Sequence, residues 1–173
     1  MPKVSPRKPY RIGRAKTGLG LFATRVFKKG DFIVNYTGKR ITAEECDRRE
    51  KQGGARYMFE LSKHWALDGS PRSNIGRYAN HSCRPNAESD VIKYRKVIIK
   101  AIKTINPGDE ITYDYGKEYF DGFITKRRCK CPKCTEWRAE QRKSRKHKKA
   151  RGVKKAAAHK PMHAKKKAKR ASL

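Results

Sequence analysis

The sequence predicts a mainly β domain carrying one capped helix and followed by a disordered basic tail. Short runs rich in Ile, Val, Phe and Tyr recur up to Tyr115, cut by turns that contain Gly or Pro. Only the segment from Thr42 has both helix start and stop signals. From Lys143 onward the chain is mostly Lys, Arg and Ala with three His, and it has no apolar periodicity.

Taken in order, residues 1–10 read as a basic arm. Residues 11–36 read as strands broken by turns. Arg11 to Lys16 leads into a glycine loop, Gly18-Leu19-Gly20, and Phe22 to Phe27 follows. After the Lys28-Lys29-Gly30-Asp31 turn, Phe32 to Tyr36 is a β-favouring run. Thr42-Ala43-Glu44-Glu45 fits a capping box, which predicts a helix to about Gln52 that stops at Gly53-Gly54. Tyr57 to Leu61 and Trp65 to Leu67 are short strands, and Ser70 to Asn74 is a loop. Val91 to Ile105, with a polar break at Arg95-Lys96, predicts a hairpin. Asn106-Pro107-Gly108-Asp109 is a turn before a last alternating strand, Ile111 to Tyr115.

Composition narrows the function classes. Over 173 residues, 46 Lys and Arg face 16 Asp and Glu, for a formal net charge of +30. Such a field attracts polyanions or acidic surfaces and says little about fold. Sixteen of the basic residues lie from Arg138 onward, against a single acid, Glu140. No run reaches the roughly 18 apolar residues of a membrane span, and Met1 to Arg14 lacks the apolar core of a cleavable signal. The expectation is an intracellular protein with no membrane partner. In a reducing compartment, five cysteines point to metal or chemistry and away from disulfides.

Four segments carry chemistry. The glycines of Lys16-Thr17-Gly18-Leu19-Gly20 let backbone approach a ligand. A dinucleotide-binding reading fails for want of a third glycine and a following helix, and no phosphate-binding Gly-Lys-Ser/Thr is present. Asn74 to Asn86 packs Asn, His, Ser and Cys into a stretch without helical or strand period, so it is an exposed loop or a built site. Tyr113 and Tyr115 share one face of a strand, as sheet core or as site. Cys129-Lys130-Cys131-Pro132-Lys133-Cys134 places three thiols within six residues, the pattern of thiolate ligation of Zn²⁺. A fourth ligand would come from Cys46, Cys83 or a histidine. Cys83, in the irregular polar loop, is the better candidate, since Cys46 sits in the capped helix as a small apolar residue.

Read together and in this order, these segments resemble the SET-domain lysine methyltransferases with a post-SET zinc cluster. Arg77-Tyr78-Ala79-Asn80-His81-Ser82-Cys83-Arg84-Pro85-Asn86 is similar to the family's first signature at every defined position, and Gly108-Asp109-Glu110-Ile111-Thr112-Tyr113-Asp114-Tyr115 to its second. Tyr36-Thr37-Gly38 and the Gly18-Leu19-Gly20 loop fall where the family has them. The resemblance covers roughly residues 11–136. It implies a fold of small twisted sheets with a pseudoknot, a SET domain over 11–118, a post-SET zinc segment over 119–137 and a Lys/Arg-rich tail over 138–173. It also implies S-adenosylmethionine as cofactor. The backbone at Gly18, Leu19 and Gly20 would cradle its methionine part, Tyr57, Asn80 and His81 would contact it, Arg77 would support the pocket, and Phe120 would lie over the adenine or the lysine channel. Tyr36 and Tyr115 would line that channel, with Tyr115 catalytic and Tyr113 limiting the number of methyl groups. Cys83, Cys129, Cys131 and Cys134 would hold zinc.

The chain departs from the family pattern in three places. Asn35 stands where Glu often precedes the tyrosine, two residues instead of four separate Cys131 from Cys134, and no cysteine-rich segment precedes the domain. The expected reaction is methylation, mainly monomethylation, of a lysine in a histone or other DNA-associated basic protein, in a nucleus or nucleoid. The tail is expected to bind nucleic acid by counterion release, with nuclear import, automethylation and solubility as other readings. The rival expectation is a non-enzymatic, zinc-containing nucleic-acid-binding protein. It accounts for the charge and the cysteines but leaves the Asn-His-Ser-Cys string unused.

Overall fold

The short β-favouring runs are of ordinary strand length, and the turns between them divide them among several small sheets. The computed structural model, which describes residues 8–53, 56–93 and 96–158, has three among its described residues. The strands are β1 (Tyr10–Ala15), β2 (Gly18–Ala23), β3 (Phe32–Tyr36), β4 (Lys39–Thr42), β5 (Met58–Ser62), β6 (Trp65–Asp68), β7 (Asn80–His81), β8 (Ala87–Ile92), β9 (Lys96–Ala101) and β10 (Glu110–Tyr113). They form sheets in the orders β1-β2-β10-β7, β3-β9-β8 and β4-β6-β5. The chain divides into two units, Met1–Thr135 and Glu136–Leu173, and all three sheets belong to the first.

The first two sheets share one core. Leu21 on β2, Phe27, Ile99 on β9, Ile105 and Ile111 on β10 are fully buried and pack with Ile33, Val34, Ala79 and Tyr113. Burying each large apolar side chain contributes about 1.5–3 kcal/mol. A second cluster of Tyr36, Leu61, Leu67 and Val97 lies where β3 and β9 meet β5 and β6.

The knot-like crossing that the resemblance implies is built from hydrogen bonds. β7 runs parallel to β10, with Asn80 opposite Thr112 and His81 opposite Tyr113. Beyond β7, the Ser82 N–H donates to the Tyr113 carbonyl (3.1 Å) and the Asn86 N–H to the Thr112 carbonyl (3.2 Å). The Asn86 side chain closes the crossing. Its Nδ2 donates to the Glu110 carbonyl and its Oδ1 accepts from the Thr112 N–H, both at 2.8 Å.

Several elements differ from the sequence expectation. Gly18 to Gly20 is no loop; it opens β2, and the turn is the preceding Lys16-Thr17, because Ala15 pairs directly with Gly18. The hairpin begins at Ala87, four residues before Val91. Glu88 and Asp90 hid that strand by their polarity, yet they stand on its exposed face, where both pair with Lys100 of β9. Arg95 of the expected break lies outside the described residues. The last strand stops at Tyr113, and the Tyr115 N–H turns to the His81 ring.

The capping box is half made. Thr42 accepts from the Glu45 N–H at 3.2 Å, but the Glu45 carboxylate takes Arg48 and Arg49 as stronger, charged partners. The helix α1 (Ala43–Lys51) ends as expected before Gly53, whose φ is +79°. Cys46 on it is half-buried. Tyr10 already belongs to β1, so the basic arm ends sooner than residue 10, and residues 1–7 lie outside the described residues.

Helical turns absent from the sequence reading follow Gly116: α2 (Lys117–Tyr119), a π turn (Phe120–Ile124), α3 (Thr125–Arg128) and the long α4 (Pro132–Ala158). The expected disorder of the tail does not extend to residues 138–158, which are helical. Ala, Lys, Arg, Gln and Glu favour helix individually without an apolar stripe. Residues 159–173 lie outside the described residues.

Asn74 is 1 % exposed; its Oδ1 accepts from the Thr37 N–H and its Nδ2 donates to the Gly69 carbonyl, both at 3.0 Å. Asn74→Ala leaves both backbone groups without that partner. It is expected to destabilise the domain by about 2–4 kcal/mol, measured as a lowered midpoint in urea unfolding, whereas an unchanged midpoint would show that water replaces the amide.

Candidate active site and metal centre

β2 and β7 meet end to end at the glycines. Asn80 donates through Nδ2 to the Leu19 carbonyl (3.0 Å) and to Glu110 Oε1 (2.7 Å). A Cβ on Gly20 would lie 2.7 Å from that same Oε1 and 2.8 Å from Ala15 Cβ, so the position accepts only glycine without rearrangement. Gly18 has φ +119°, and Leu19 is 56 % exposed. Beside them opens a cleft of about 710 Å³, lined among others by Thr17, Leu19, Tyr57, Arg77, Tyr78, Asn80, His81 and Tyr115. The Arg77 guanidinium stacks 4.0 Å over the Tyr57 ring and donates to the Ser70 carbonyl. Its Nε is buried with no partner among the described residues. A buried donor left open in a cleft wall fits an acceptor on a bound molecule.

A second cavity, about 90 Å³, shares the Arg56, Tyr57, Arg77, Tyr115 and Tyr119 walls of the cleft and adds Tyr36, Tyr113, Met58, Phe59 and Ser89. That is the space of about three waters. Its tyrosines are held in place. Tyr36 donates to the Tyr57 carbonyl (2.7 Å), and its ring fills the space where a Cβ on Gly69 would stand 2.3 Å from ring carbon Cε1. Tyr115 donates to the Ala79 carbonyl (2.8 Å) and packs on Tyr113 (4.7 Å between centroids) and on Tyr119 (5.2 Å, edge-on). Burial pushes the phenols of Tyr36, Tyr113, Tyr115 and Tyr119 above their ordinary pKa. They are protonated hydrogen-bonding groups at neutral pH, not bases.

The cysteines converge at the far side of the crossing. The sulfurs of Cys83, Cys129, Cys131 and Cys134 all lie within 4.8 Å of one another, and Cys83 is 3.6 Å from Cys134. Tetrahedral Zn–S bonds of 2.3 Å require sulfurs about 3.8 Å apart, so the donor set fits zinc. The short spacing from Cys131 to Cys134 still closes the set, because Cys134 stands on the first turn of α4. Of the four expected ligands, Cys83 is the one brought in from the polar loop.

His81 joins the two regions. Its Nδ1 accepts from the Tyr115 N–H at 3.2 Å, so the neutral ring carries its proton on Nε2, 3.3 Å from the Cys83 sulfur. Burial lowers the His81 pKa, opposed by the nearby Asp114. Phe120 packs on His81 (5.0 Å between centroids) and against the cysteines, and does not line the cleft.

The structure thus places Leu19, Tyr36, Tyr57, Arg77, Asn80, His81, Tyr113 and Tyr115 around two adjoining cavities and the four expected cysteines in one cluster, while Gly18, Gly20 and Phe120 line neither cavity. It also adds residues that the sequence reading passed over. Tyr119, bonded to the Arg56 carbonyl at 2.9 Å, lines both cavities. Its aromatic partner Phe123, four residues on, was the available sign. Glu110 was quoted within a signature, and its hold on Asn80 appears only in three dimensions.

Residues 18–116 match the SET domain family. The chain is 35% identical over 141 residues to the histone-lysine N-methyltransferase trr of Drosophila melanogaster, covering 76% of this chain and 6% of that protein. It is 32% identical over 118 residues to the H3 lysine-4 specific histone-lysine N-methyltransferase of Aspergillus oryzae, covering 63% of this chain and 10% of that one. Among solved structures, an active polycomb repressive complex 2 in the basal state superposes with a TM-score of 0.57 at 30% identity, over 64% of this chain and 15% of the other. The chain spans about a tenth or less of the length of these two curated relatives. With its family match running through both cavity walls and the crossing beneath them, over more than half its length, the chain belongs to the SET-domain family.

Proposed function

We propose that this chain transfers a methyl group from S-adenosylmethionine to the side-chain amine of a lysine in a histone or other DNA-associated basic protein, mainly once per lysine. The observation that carries this reading is the pair of cavities. A roomy cleft beside Leu19, Asn80 and His81 shares a wall with a narrow space enclosed by tyrosines. In the proposed division of the chain, residues 11–118 are the catalytic domain, 119–137 the zinc segment and 138–173 the tail. The relatives named as histone-lysine methyltransferases support the reaction type and the substrate class.

When bound, S-adenosylmethionine supplies an electrophilic methyl group on a sulfonium. The backbone at Gly18, Leu19 and Gly20 would hold its methionine part, with Tyr57, Asn80 and His81 in contact and the open Arg77 Nε offering a donor. Phe120 would act through His81, on which it packs. Zinc at Cys83, Cys129, Cys131 and Cys134 would fasten residues 129–134 to the crossing.

The channel residues have two tasks. Keeping a lysine amine neutral at pH 7 costs about 4.6 kcal/mol in water. A buried cavity lined by Arg56 and Arg77 and by no carboxylate disfavours the ammonium by desolvation and by like charge. The second task is alignment, which the fixed hydroxyl of Tyr115 and the ring of Tyr36 provide. Tyr113, buried between Tyr115 and the core, would crowd a second methyl.

Calorimetric titration with S-adenosylmethionine tests the reading directly: saturable binding by the zinc-loaded chain is expected, and its absence would overturn the proposal. Tyr113→Phe is expected to move the product from monomethyl- towards di- and trimethyl-lysine. Identical product distributions in mass spectra of the two proteins would remove Tyr113 from that role. The tail is proposed to bind nucleic acid through its basic residues. Deleting residues 138–173 is expected to weaken DNA retention about tenfold or more at moderate salt while leaving turnover on a short peptide within about twofold; equal retention would refute the tether.

A further inference from the structure

The side chains that line the two cavities are cationic wherever they are charged. Arg56, Arg72, Arg77, Arg128 and Lys130 line them and, among the described residues, no Asp or Glu does, although Glu110 holds the cleft residue Asn80 and Asp114 lies 3.6 Å from His81 Nδ1. Elsewhere some arginines are matched, Arg48 and Arg49 to Glu45, Arg49 also to Asp68 and Arg25 to Asp31, while Arg11 and Arg40 lie over the rings of Phe22 and Trp65. The four cavity arginines form no ion pair among the described residues. Arg77 is committed to Tyr57 and the Ser70 carbonyl, and Lys130 donates to the Lys16 carbonyl at 2.9 Å, which leaves its charge unbalanced. Arg56 and Arg72 are exposed at the rim.

From this we infer that the target lysine stands next to acidic residues in its substrate. The inference rests on the methyltransferase reading and narrows its substrate. The methyl donor does not offset the cations, since its sulfonium and ammonium outnumber its one carboxylate. The entering lysine is neutral or positive. Counter-charge therefore comes from the rest of the substrate, and the 90 Å³ space admits a single extended side chain, so the groups that meet the rim belong to neighbouring residues. A flanking Arg or Lys would stand beside exposed guanidinium groups that have no ion-pair partner among the described residues, a like-charge juxtaposition that costs most at low ionic strength. The cations line concave cavities, a shape suited to the short carboxylate arms of a peptide and not to the evenly spaced phosphates of a stiff duplex. Within basic proteins, the site would thus choose lysines beside Asp or Glu over lysines in basic runs, this chain's own tail included.

The test uses the full zinc-loaded chain, labelled S-adenosylmethionine and three peptides of equal length. Each has one central lysine flanked by two Glu, two Gln or two Arg. The expected order of kcat/KM is Glu, then Gln, then Arg. The outer two should differ by about tenfold or more at low ionic strength, and the spread should shrink at high salt. Arg56→Gln and Arg72→Gln should each narrow it, with thermal melting as the check on folding; the peptide series on the unaltered chain stands without them. Equal or faster turnover of the Arg-flanked peptide would overturn the inference while leaving the methyltransferase reading intact. Competition at the cleft by short duplex DNA, with no discrimination among the peptides, would make it a phosphate site and overturn it too. Absence of both methyl-donor binding and turnover on all three peptides would instead remove the methyltransferase reading, and this inference with it.

Discussion

The polar segment from Asn80 to Asn86 is laid against β10, and its backbone groups have to find partners there because no neighbouring strand accompanies it. Asn86 supplies the solution by offering an amide that mimics a peptide group to the Glu110 carbonyl and the Thr112 N–H. Ser82 and His81 do the same for Tyr113 and Tyr115. Each of these bonds answers a group that would otherwise cost about 1–3 kcal/mol to leave open. Through this crossing, residues from two distant parts of the sequence become one surface. Asn80 reaches the Leu19 carbonyl, Tyr115 reaches the Ala79 carbonyl, and Cys83 is turned toward the other cysteines.

The thiol cluster extends the same logic. Three of its sulfurs come from a segment with no strand partner, and the fourth from the crossing. A four-thiolate metal would be a cross-link between the two, formed where hydrogen bonding has run out. Phe120 and Ile124 pack against the cysteines, and Tyr119 leads into the same turn, bonded to the Arg56 carbonyl. The wall over the cavities is therefore fastened at two points, one of them the thiol cluster. His81 lies between these regions, with Tyr115 on one ring nitrogen and Cys83 on the other.

What the sequence made legible follows from what kind of force placed each part. Local signals worked: Thr42 and Gly53 bracket α1, and the turn at Asn106–Asp109 precedes β10. Cys83 could be preferred over Cys46 as a ligand because irregular polar loops are where ligands come from. The misplaced parts depended on distant partners. Gly18 to Gly20 fits a loop by its glycines and is a strand only through its pairing with β1, and the first four residues of β8 carry no strand signal of their own, since Glu88 and Asp90 find their partner in Lys100 across the sheet. Tyr115 fitted a strand by alternation, but a histidine 34 residues earlier took its N–H. No pattern along the chain could have placed Arg56 and Tyr119 in the same two walls.

Charge acts differently in the two parts of this molecule. The basic residues from Arg142 to Lys149 are exposed along α4, so salt screens them over a Debye length of about 8–10 Å. The five cations at the cavities are fewer and four of them are exposed, but all border two concave spaces, and Arg56 and Arg77 line the narrow one with its tyrosine walls. In the proposed reaction the amine has to be neutral, and no carboxylate among the described residues lines the channel to take its proton. A positive field meets that requirement by making the ammonium the unfavourable form. The same field reaches past the mouth of the channel to whatever stands beside the lysine. The groups that favour a neutral amine inside therefore also disfavour a cationic neighbour outside, and activation and selection of the substrate become one electrostatic property of the site.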